Sequence, residues 1–567
     1  MSTGSAPIRL GTRRSALALV QATTVAAALR EHGRDVTLVP IVTDGDLREP
    51  DTAWGEGAFV GALERALLAG EIDVAVHSAK DVPTDEDPGL RIAAYLPRED
   101  PADVLVVAPG SAARGPEDLP AGARIGTDSP RRTAFLRAVR PDLVFGPLHG
   151  NVDTRLRRLD DGEADALILA AAGLRRLGRA DRIAGRLDPA VIPPAPGQGA
   201  LAVQARADDQ ATLAAVAPLD DRPTRLAVHA ERALLAASGG GCRAPIGALG
   251  RVTGDRLTLL GGFATADGSI AVSATCEGTA TEADGAAVAE WVLLRLADAA
   301  ADRATAEGRP RLIVTRPRSR WAASALALVD RGLAPRSVPA LEIRDEPDGA
   351  LRAAAADLAR FDWVALTSPD GVRALAAAAT AAGRSLDRSG PRPRWAVVGD
   401  ATWRALARAG VGDALRPTRA TAAALAEVLP IRAGDRVLLP LGDLAAPDLA
   451  DRLTARGAHV TAAIAYRTVE APESSLPALA AALDEGPRAW LASSPSAVRG
   501  LLALAEALGA GAGVRALPVV SIGPTTSAEV VRLGLPLAAE APSPDPGAVA
   551  GAVAEMVAGL VEPVEVP

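Results

Sequence analysis

Apolar and polar positions alternate in short blocks from the start of the chain. Positions 8–12 form a brief apolar run that reads as a strand, and 15–31 carries apolar residues at helical spacing. A second strand is predicted at 36–42, a second helix at 59–68 and a third strand at 72–77. The rhythm continues through 103–107, 124–126, a helix opening at Pro130, and 166–170. Such a βαβ order predicts a doubly wound parallel sheet with ligands at the carboxyl ends of its strands. A Pro/Gly-rich joint at 192–199 leads to a strand at 200–204, and about 222–305 reads as a separate α+β unit around 257–263 and a helix at 286–301.

The turn Glu307-Gly308-Arg309-Pro310 closes that helix and precedes a new strand at 311–315, which makes it the best boundary in the chain. Beyond it the pattern repeats. Trp363-Val-Ala-Leu-Thr-Ser368-Pro resembles Ala489-Trp-Leu-Ala-Ser-Ser494-Pro, and Ala396-Val-Val-Gly399 resembles Val520-Ser-Ile-Gly523. A duplication of this kind predicts two similar α/β lobes with a cleft between them.

Composition narrows the class. Apolar runs are short and interrupted by charge, so no membrane span is expected, and no signal peptide is evident at the N-terminus. A net charge of −8 argues against a general nucleic-acid surface. Two cysteines, Cys242 and Cys276, make no disulfide framework, and reduced thiols in the cytoplasm are the expected state. Among 61 basic residues only Lys80 is lysine. It is either a survivor of coding bias or marks a site that needs a compact ammonium instead of a planar guanidinium.

Candidate chemistry gathers at strand ends. Val74-Ala-Val-His-Ser78-Ala-Lys80-Asp81-Val-Pro83 would project Ser78, Lys80 and Asp81 into a cleft, with Asp81 as a general acid/base; the plain alternative is a capped turn. Arg13, the run Thr127-Asp128-Ser129-Pro130-Arg131-Arg132, and Gly150-Asn-Val-Asp-Thr-Arg155 follow three other strands or open helices after them. Helix starts with hydroxyls and arginine forks bind carboxylates or phosphates, although any one alone is an ordinary helix start. Three glycines in Ser238-Gly-Gly-Gly-Cys242 place that thiol in a close-approach loop, which makes Cys242 the candidate for covalent chemistry; Cys276 reads as core.

These residues resemble hydroxymethylbilane synthases (porphobilinogen deaminases). The resemblance rests on Gly11-Thr-Arg13-Arg-Ser15-Ala-Leu-Ala-Leu, His77-Ser-Ala-Lys80-Asp81-Val-Pro83, Arg98-Glu-Asp100-Pro, Ala195-Pro-Gly-Gln198-Gly199 and Gly240-Gly-Cys242-Arg-Ala-Pro-Ile-Gly247, in that family's order. It implies two periplasmic-binding-protein-like doubly wound lobes, about 7–99 with 200–217 and about 100–195, plus the small α+β domain, within 1–306. It also implies a dipyrromethane cofactor joined by thioether to Cys242. Asp81 would protonate the departing amino group of porphobilinogen, hold the resulting cation and assist loss of the α-proton. Cofactor contacts would fall to Lys80, Ser78, Ser129, Arg131 and Arg132. Substrate contacts would fall to Arg13, Ser15, Phe59, Thr127, Arg155 and Gln198. The chain departs from the family's usual pattern at Thr52, Glu56, Asp128 and His149, each change making the pocket less positive.

The second half has no cysteine and one histidine, His459, so neither a metal cluster nor a Ser-His triad is supported. Ser368, Thr402, Ser494, Ser496, Thr525 and Thr526 stand at strand-to-helix turns, where each alone reads as a cap and together they would line a cleft. Tyr466 is one of two tyrosines and reads as a core residue or a proton donor. With Ile313-Val-Thr-Arg316-Pro and Ile522-Gly-Pro-Thr525-Thr526, these segments resemble uroporphyrinogen-III synthase over about 310–560. That resemblance implies two flavodoxin-like α/β lobes, about 310–342 with 470–562 and about 345–467, and no cofactor. It further implies cyclisation of hydroxymethylbilane with D-ring inversion, Tyr466 assisting departure of hydroxide. Pro440-Leu441-Gly442-Asp443 stands where an arginine-containing turn is common. The function expected is bifunctional. Its alternatives are a degenerate first half beside an active cyclase, or a non-catalytic tetrapyrrole-binding regulator.

Overall fold

The computed structural model describes residues 6–42, 60–239, 244–386 and 393–559. Five sheets organise them, each with helices against it.

The first sheet runs in the order Val36–Ile41, Ile8–Arg13, Val74–Ser78, Leu201–Arg206, Leu90–Tyr95. Its first three strands are parallel, and Leu201–Arg206 is antiparallel to both of its neighbours. The second sheet is ordered Val144–Gly146, Arg124–Gly126, Ala166–Ala170, Asp103–Val107, Gly185–Arg186, with Asp103–Val107 again antiparallel on both sides. These sheets are therefore mixed, which corrects the expectation of purely parallel ones. Periodicity reports burial on both faces, and an interior antiparallel strand is as buried as a parallel one. Both antiparallel strands are the ones by which the chain enters a sheet from the other.

A third, antiparallel sheet of Ile246–Thr253, Arg256–Ala264 and Ala271–Thr279 packs against the helices Arg222–Ala237 and Glu282–Ala306. Gly261 makes that packing close, since a side chain there would strike Val292 and Leu234.

The fourth sheet, Ala334–Ser337, Arg311–Val314, Ala489–Ala492, Val519–Ser521, Leu537–Glu540, is parallel throughout. The fifth is ordered Leu341–Arg344, His459–Glu470, Arg436–Gly442, Trp363–Leu366, Arg394–Val397. Only Leu341–Arg344 runs against its neighbour there. The sequence repeat is a repeat of structure. Trp363–Leu366 and Ala489–Ala492 each lead through a capping serine into a helix of 13 residues, Pro369–Ala381 and Pro495–Ala507.

No loose tether joins the halves. The helix Glu282–Ala306 ends before Gly308, whose φ of 73° reverses the chain. One apolar cluster then runs from Leu259 and Phe263 through Leu296 and Ala300 to Trp321, Leu328 and Val553. Trp321 Nε1 donates to Asp298 Oδ1 at 2.9 Å, and Arg336 pairs with Asp302 at 2.7 Å. Among the described residues, no helix is long and apolar enough to cross a membrane.

Candidate functional site

The strand Val74–Ser78 is buried until Ser78, then breaks into the short turn Ala79–Asp81. Ser78 Oγ accepts from Gln21 Nε2 at 3.0 Å, and Asp81 is exposed. Lys80 Nζ donates to Gln198 Oε1 at 3.4 Å. Desolvation draws the Lys80 ammonium down to about 8, with Asp81 opposing and Arg132 assisting. Gly197, at φ +77°, lets the distant Pro-Gly-Gln-Gly segment lie on this turn, because a Cβ would come within 3.1 Å of Lys80 N. Two sequence motifs more than a hundred residues apart thus form one wall.

Beneath it lies Asp103, buried at the start of its strand. It accepts Arg131 Nη2 and Arg132 Nη2, both at 2.8 Å, and Gln198 Nε2 at 2.9 Å. Burial pushes Asp103 up, but Arg131 and Arg132 outweigh it and hold the carboxyl well below the usual range. Their other donors reach Pro193 O and Ile168 O. What a ligand meets of these two arginines is therefore charge rather than an open fork. Ser129 caps their helix and Thr127 Oγ1 accepts from Ser129 N, so both hydroxyls serve the loop.

Asp128 and His149, two of the departures from the family pattern, meet each other. His149 Nδ1 lies 2.9 Å from Asp128 Oδ1, while Arg155 Nη2 donates to Asp128 Oδ2 at 2.7 Å. Arg13 is half-buried at the end of the first strand, and Ser15 caps the helix after it. Phe59, Cys242, Thr52 and Glu56 lie outside the described residues.

Three residues that the sequence reading missed hold these pieces together. Asp103 is one. The others are Glu231 and Arg232, on the helix Arg222–Ala237 that leads toward Cys242. Glu231 Oε1 and Oε2 accept Arg98 Nη1 and Nη2 at 2.5 and 3.0 Å, and also accept Gly250 N and Gly197 N at 2.7 and 2.6 Å. Arg232 donates to Val82 O and Pro83 O, both at 2.8 Å, bracing the loop after Asp81. A signal existed: Glu231 sits on the apolar face of its helix, among Ala227, Ala230, Leu234 and Leu235.

In the second half, Tyr466 is half-buried and its hydroxyl donates to Ser368 Oγ at 3.2 Å. The strand ladder slips at Leu441/Gly442, so that Gly442 pairs with Tyr466 and not Ala465. The ring lies on Gly442, where a Cβ would sit 2.6 Å from ring carbon Cε2 and 2.9 Å from the hydroxyl oxygen. Ser368 and Ser494 are helix caps, Ser496 accepts from Arg499, Thr525 is exposed, and Thr402 and Thr526 are buried. The structure brings Ser368 to Tyr466 and leaves the other hydroxyls at separate turns. No metal-holding cluster occurs among the described residues.

An exposed carboxylate beside a half-buried ammonium, above a set of arginines, is the equipment of an acid/base enzyme for anionic small molecules. Residues 8–214 match the family model "Porphobilinogen deaminase, dipyromethane cofactor binding domain", and 225–293 match "Porphobilinogen deaminase, C-terminal domain". The porphobilinogen deaminase of Roseiflexus sp. (strain RS-1) is 50% identical over 264 residues, 46% of this chain and 86% of that protein. That of Nocardia farcinica is 49% identical over 283 residues, 48% of this chain and 81% of that protein. The chain belongs to the porphobilinogen deaminase family.

Residues 322–550 match "Uroporphyrinogen-III synthase HemD". Among solved structures, a mutant uroporphyrinogen III synthase from the extremely thermophilic bacterium Thermus thermophilus aligns over 44% of this chain and 99% of its own, at 22% identity and a TM-score of 0.35. At that identity and score the family match, not the superposition, carries the assignment. The two parts together make the chain a bifunctional enzyme of tetrapyrrole biosynthesis, with a hydroxymethylbilane synthase followed by a uroporphyrinogen-III synthase.

Proposed function

We propose that the first half joins four porphobilinogen units into hydroxymethylbilane on a dipyrromethane held by Cys242, and that the second half closes the product to uroporphyrinogen III with D-ring inversion. The first two sheets are the lobes of a cleft with Asp81 at its wall. The residues present fit a polycarboxylate cofactor: Lys80, Arg131 and Arg132 supply three cations around one carboxylate, Asp103. Cys242 would anchor it, with Ser78, Lys80 and Ser129 at its acid side chains. When bound, the cofactor supplies the free pyrrole position to which substrate is added.

Asp81 protonates the amino group of porphobilinogen. The C–N bond breaks with its electron pair leaving on ammonia, and the carboxylate stabilises the cation left behind. After the new C–C bond forms, Asp81 takes the α-proton and returns to its starting state. Lys80, a point charge beside it, draws in acidic substrate. Arg13, Ser15, Thr127, Arg155 and Gln198 orient substrate, and Phe59 stacks on a ring. In the second half, Tyr466 gives its proton to the leaving hydroxyl, which departs as water. Ser368 orients the phenol, and hydroxyls at Thr402, Ser494, Ser496, Thr525 and Thr526 and neighbouring amides hold carboxylates.

The observation carrying this reading is the contact of Lys80, neighbour of Asp81, with Gln198 above the Asp103 cluster. Intact-protein mass under denaturing conditions tests it. An excess of two linked pyrrole units, absent from Cys242→Ala, is the expected result. No excess in the native chain would mean that the first half does not retain its cofactor.

A further inference from the structure

The carboxylate of Asp128 divides its oxygens between two tasks. Oδ1 accepts the Leu148 amide at 3.1 Å and lies 2.9 Å from His149 Nδ1, while Oδ2 accepts Arg155 Nη2 at 2.7 Å. The three side chains keep 14–21% of their surface open, so the cluster is reachable from solvent on one side. Arg155 Nε donates to Gly150 O at 2.9 Å, which fixes the plane of the guanidinium and aims its Nη2 edge at Asp128. Its position is set by local sequence. The parallel strands Arg124–Gly126 and Val144–Gly146 end side by side, and Asp128 and His149 stand two and three residues beyond them.

We propose that Asp128 is a resident counter-ion that a substrate carboxylate has to displace from Arg155, and that Asp128 and His149 together set how strongly this subsite takes the acid side chains of porphobilinogen. The inference rests on the proposed role of Arg155. A carboxylate already on the fork offers the bond an incoming carboxylate would make, and it repels that newcomer. Exchange remains feasible because releasing Oδ2 does not strand Asp128. Its other oxygen stays held by the Leu148 amide, so no unpartnered carboxylate is created. A neutral residue at 128 leaves Arg155 unopposed.

The test is the KM for porphobilinogen of the full-length holoenzyme in Asp128→Asn, in Arg155→Gln and in the double variant. Asparagine keeps the shape and the acceptor for Leu148 but drops the charge. Asp128→Asn is expected to lower KM by about three- to tenfold, Arg155→Gln to raise it, and Asp128→Asn to do nothing further once Arg155 is gone. A carboxylate with only a structural role gives the opposite sign, a raised KM. An unchanged or raised KM in Asp128→Asn at an unaltered melting temperature overturns the proposal, as does a fall that persists without Arg155. If Arg155→Gln leaves KM unchanged, the assignment of Arg155 to substrate is wrong and the counter-ion role falls with it. Asp128→Ser serves as a second neutral variant; failure of both to fold would make Asp128 a structural support and also overturn the proposal.

Discussion

Glu231 grips both terminal nitrogens of Arg98 from a helix that belongs to a different sheet. The same carboxylate accepts Gly197 N, so both segments that run between the first and second sheets are fastened to one fully buried side chain. Removing its charge leaves Arg98 uncompensated. Glu231→Gln is expected to cost about 3–5 kcal/mol, read as an earlier first transition in denaturant unfolding. An unshifted transition would show that the clamp contributes little.

Lys80 sets a limit on the alkaline side. Its charged form is lost as pH rises through about 8, so kcat/KM for porphobilinogen should fall with an apparent pKa near that value. Lys80→Arg, less active but permanently charged, should lack that falling limb. Since Lys80 is the chain's single lysine, an amine-directed reagent should also abolish first-half activity on adding one group beyond the α-amine, counted by intact mass. Activity surviving full modification would remove Lys80 from the site.

His77 predicts a loss of stability in acid. It is buried against Gln204 at 3.0 Å, and desolvation lowers it from 6.5 to about 4, the Gln204 bond opposing. A depressed folded value means that the unfolded chain binds a proton the native state refuses. Stability present above pH 6.5 is therefore lost as pH falls toward 4, on the order of 3 kcal/mol in all. His77→Asn should flatten this part of the stability-against-pH curve. A curve of the same slope would assign the acid loss to other groups.

Gly442 is expected to be as necessary to the second half as Tyr466 itself. The ladder slip turns the phenol over the glycine, and a methyl there collides with the ring. Gly442→Ala should slow cyclisation about a hundredfold or more, at the scale of a lost acid catalyst, and lower the share of type-III product. Tyr466→Phe should match it, and the double variant should be no worse than either. Additive losses would separate the glycine from the phenol.

Strand and helix positions were legible wherever burial follows a simple period. The strand predicted at 103–107 and the helix from Pro130 lie where expected. Strand direction was not, because the pattern at 103–107 is the same whichever way its neighbours run. At the site, motif order announced Lys80, Asp81 and Gln198, and the fold adds that Gln198 reaches Lys80. The partners of the arginines were illegible. Asp103 resembles any strand-opening aspartate until the fold sets Arg131 and Arg132 upon it. Tyr466 was visible as a rare residue, whereas the room made for it by Gly442 depends on a one-residue slip that no periodicity records.

The apolar cluster that passes from Phe263 through Leu296 to Trp321 and Val553 bears on how this chain can be inherited. Two catalysts on a tether can be parted by any break in the coding sequence, each fragment remaining viable. Here a break at Gly308 strips a greasy flank on both sides, so each descendant would need new surface charges before it could live alone. Fusion of this kind works as a ratchet: easily kept once the seam has filled with side chains, and reversed only by many coordinated replacements.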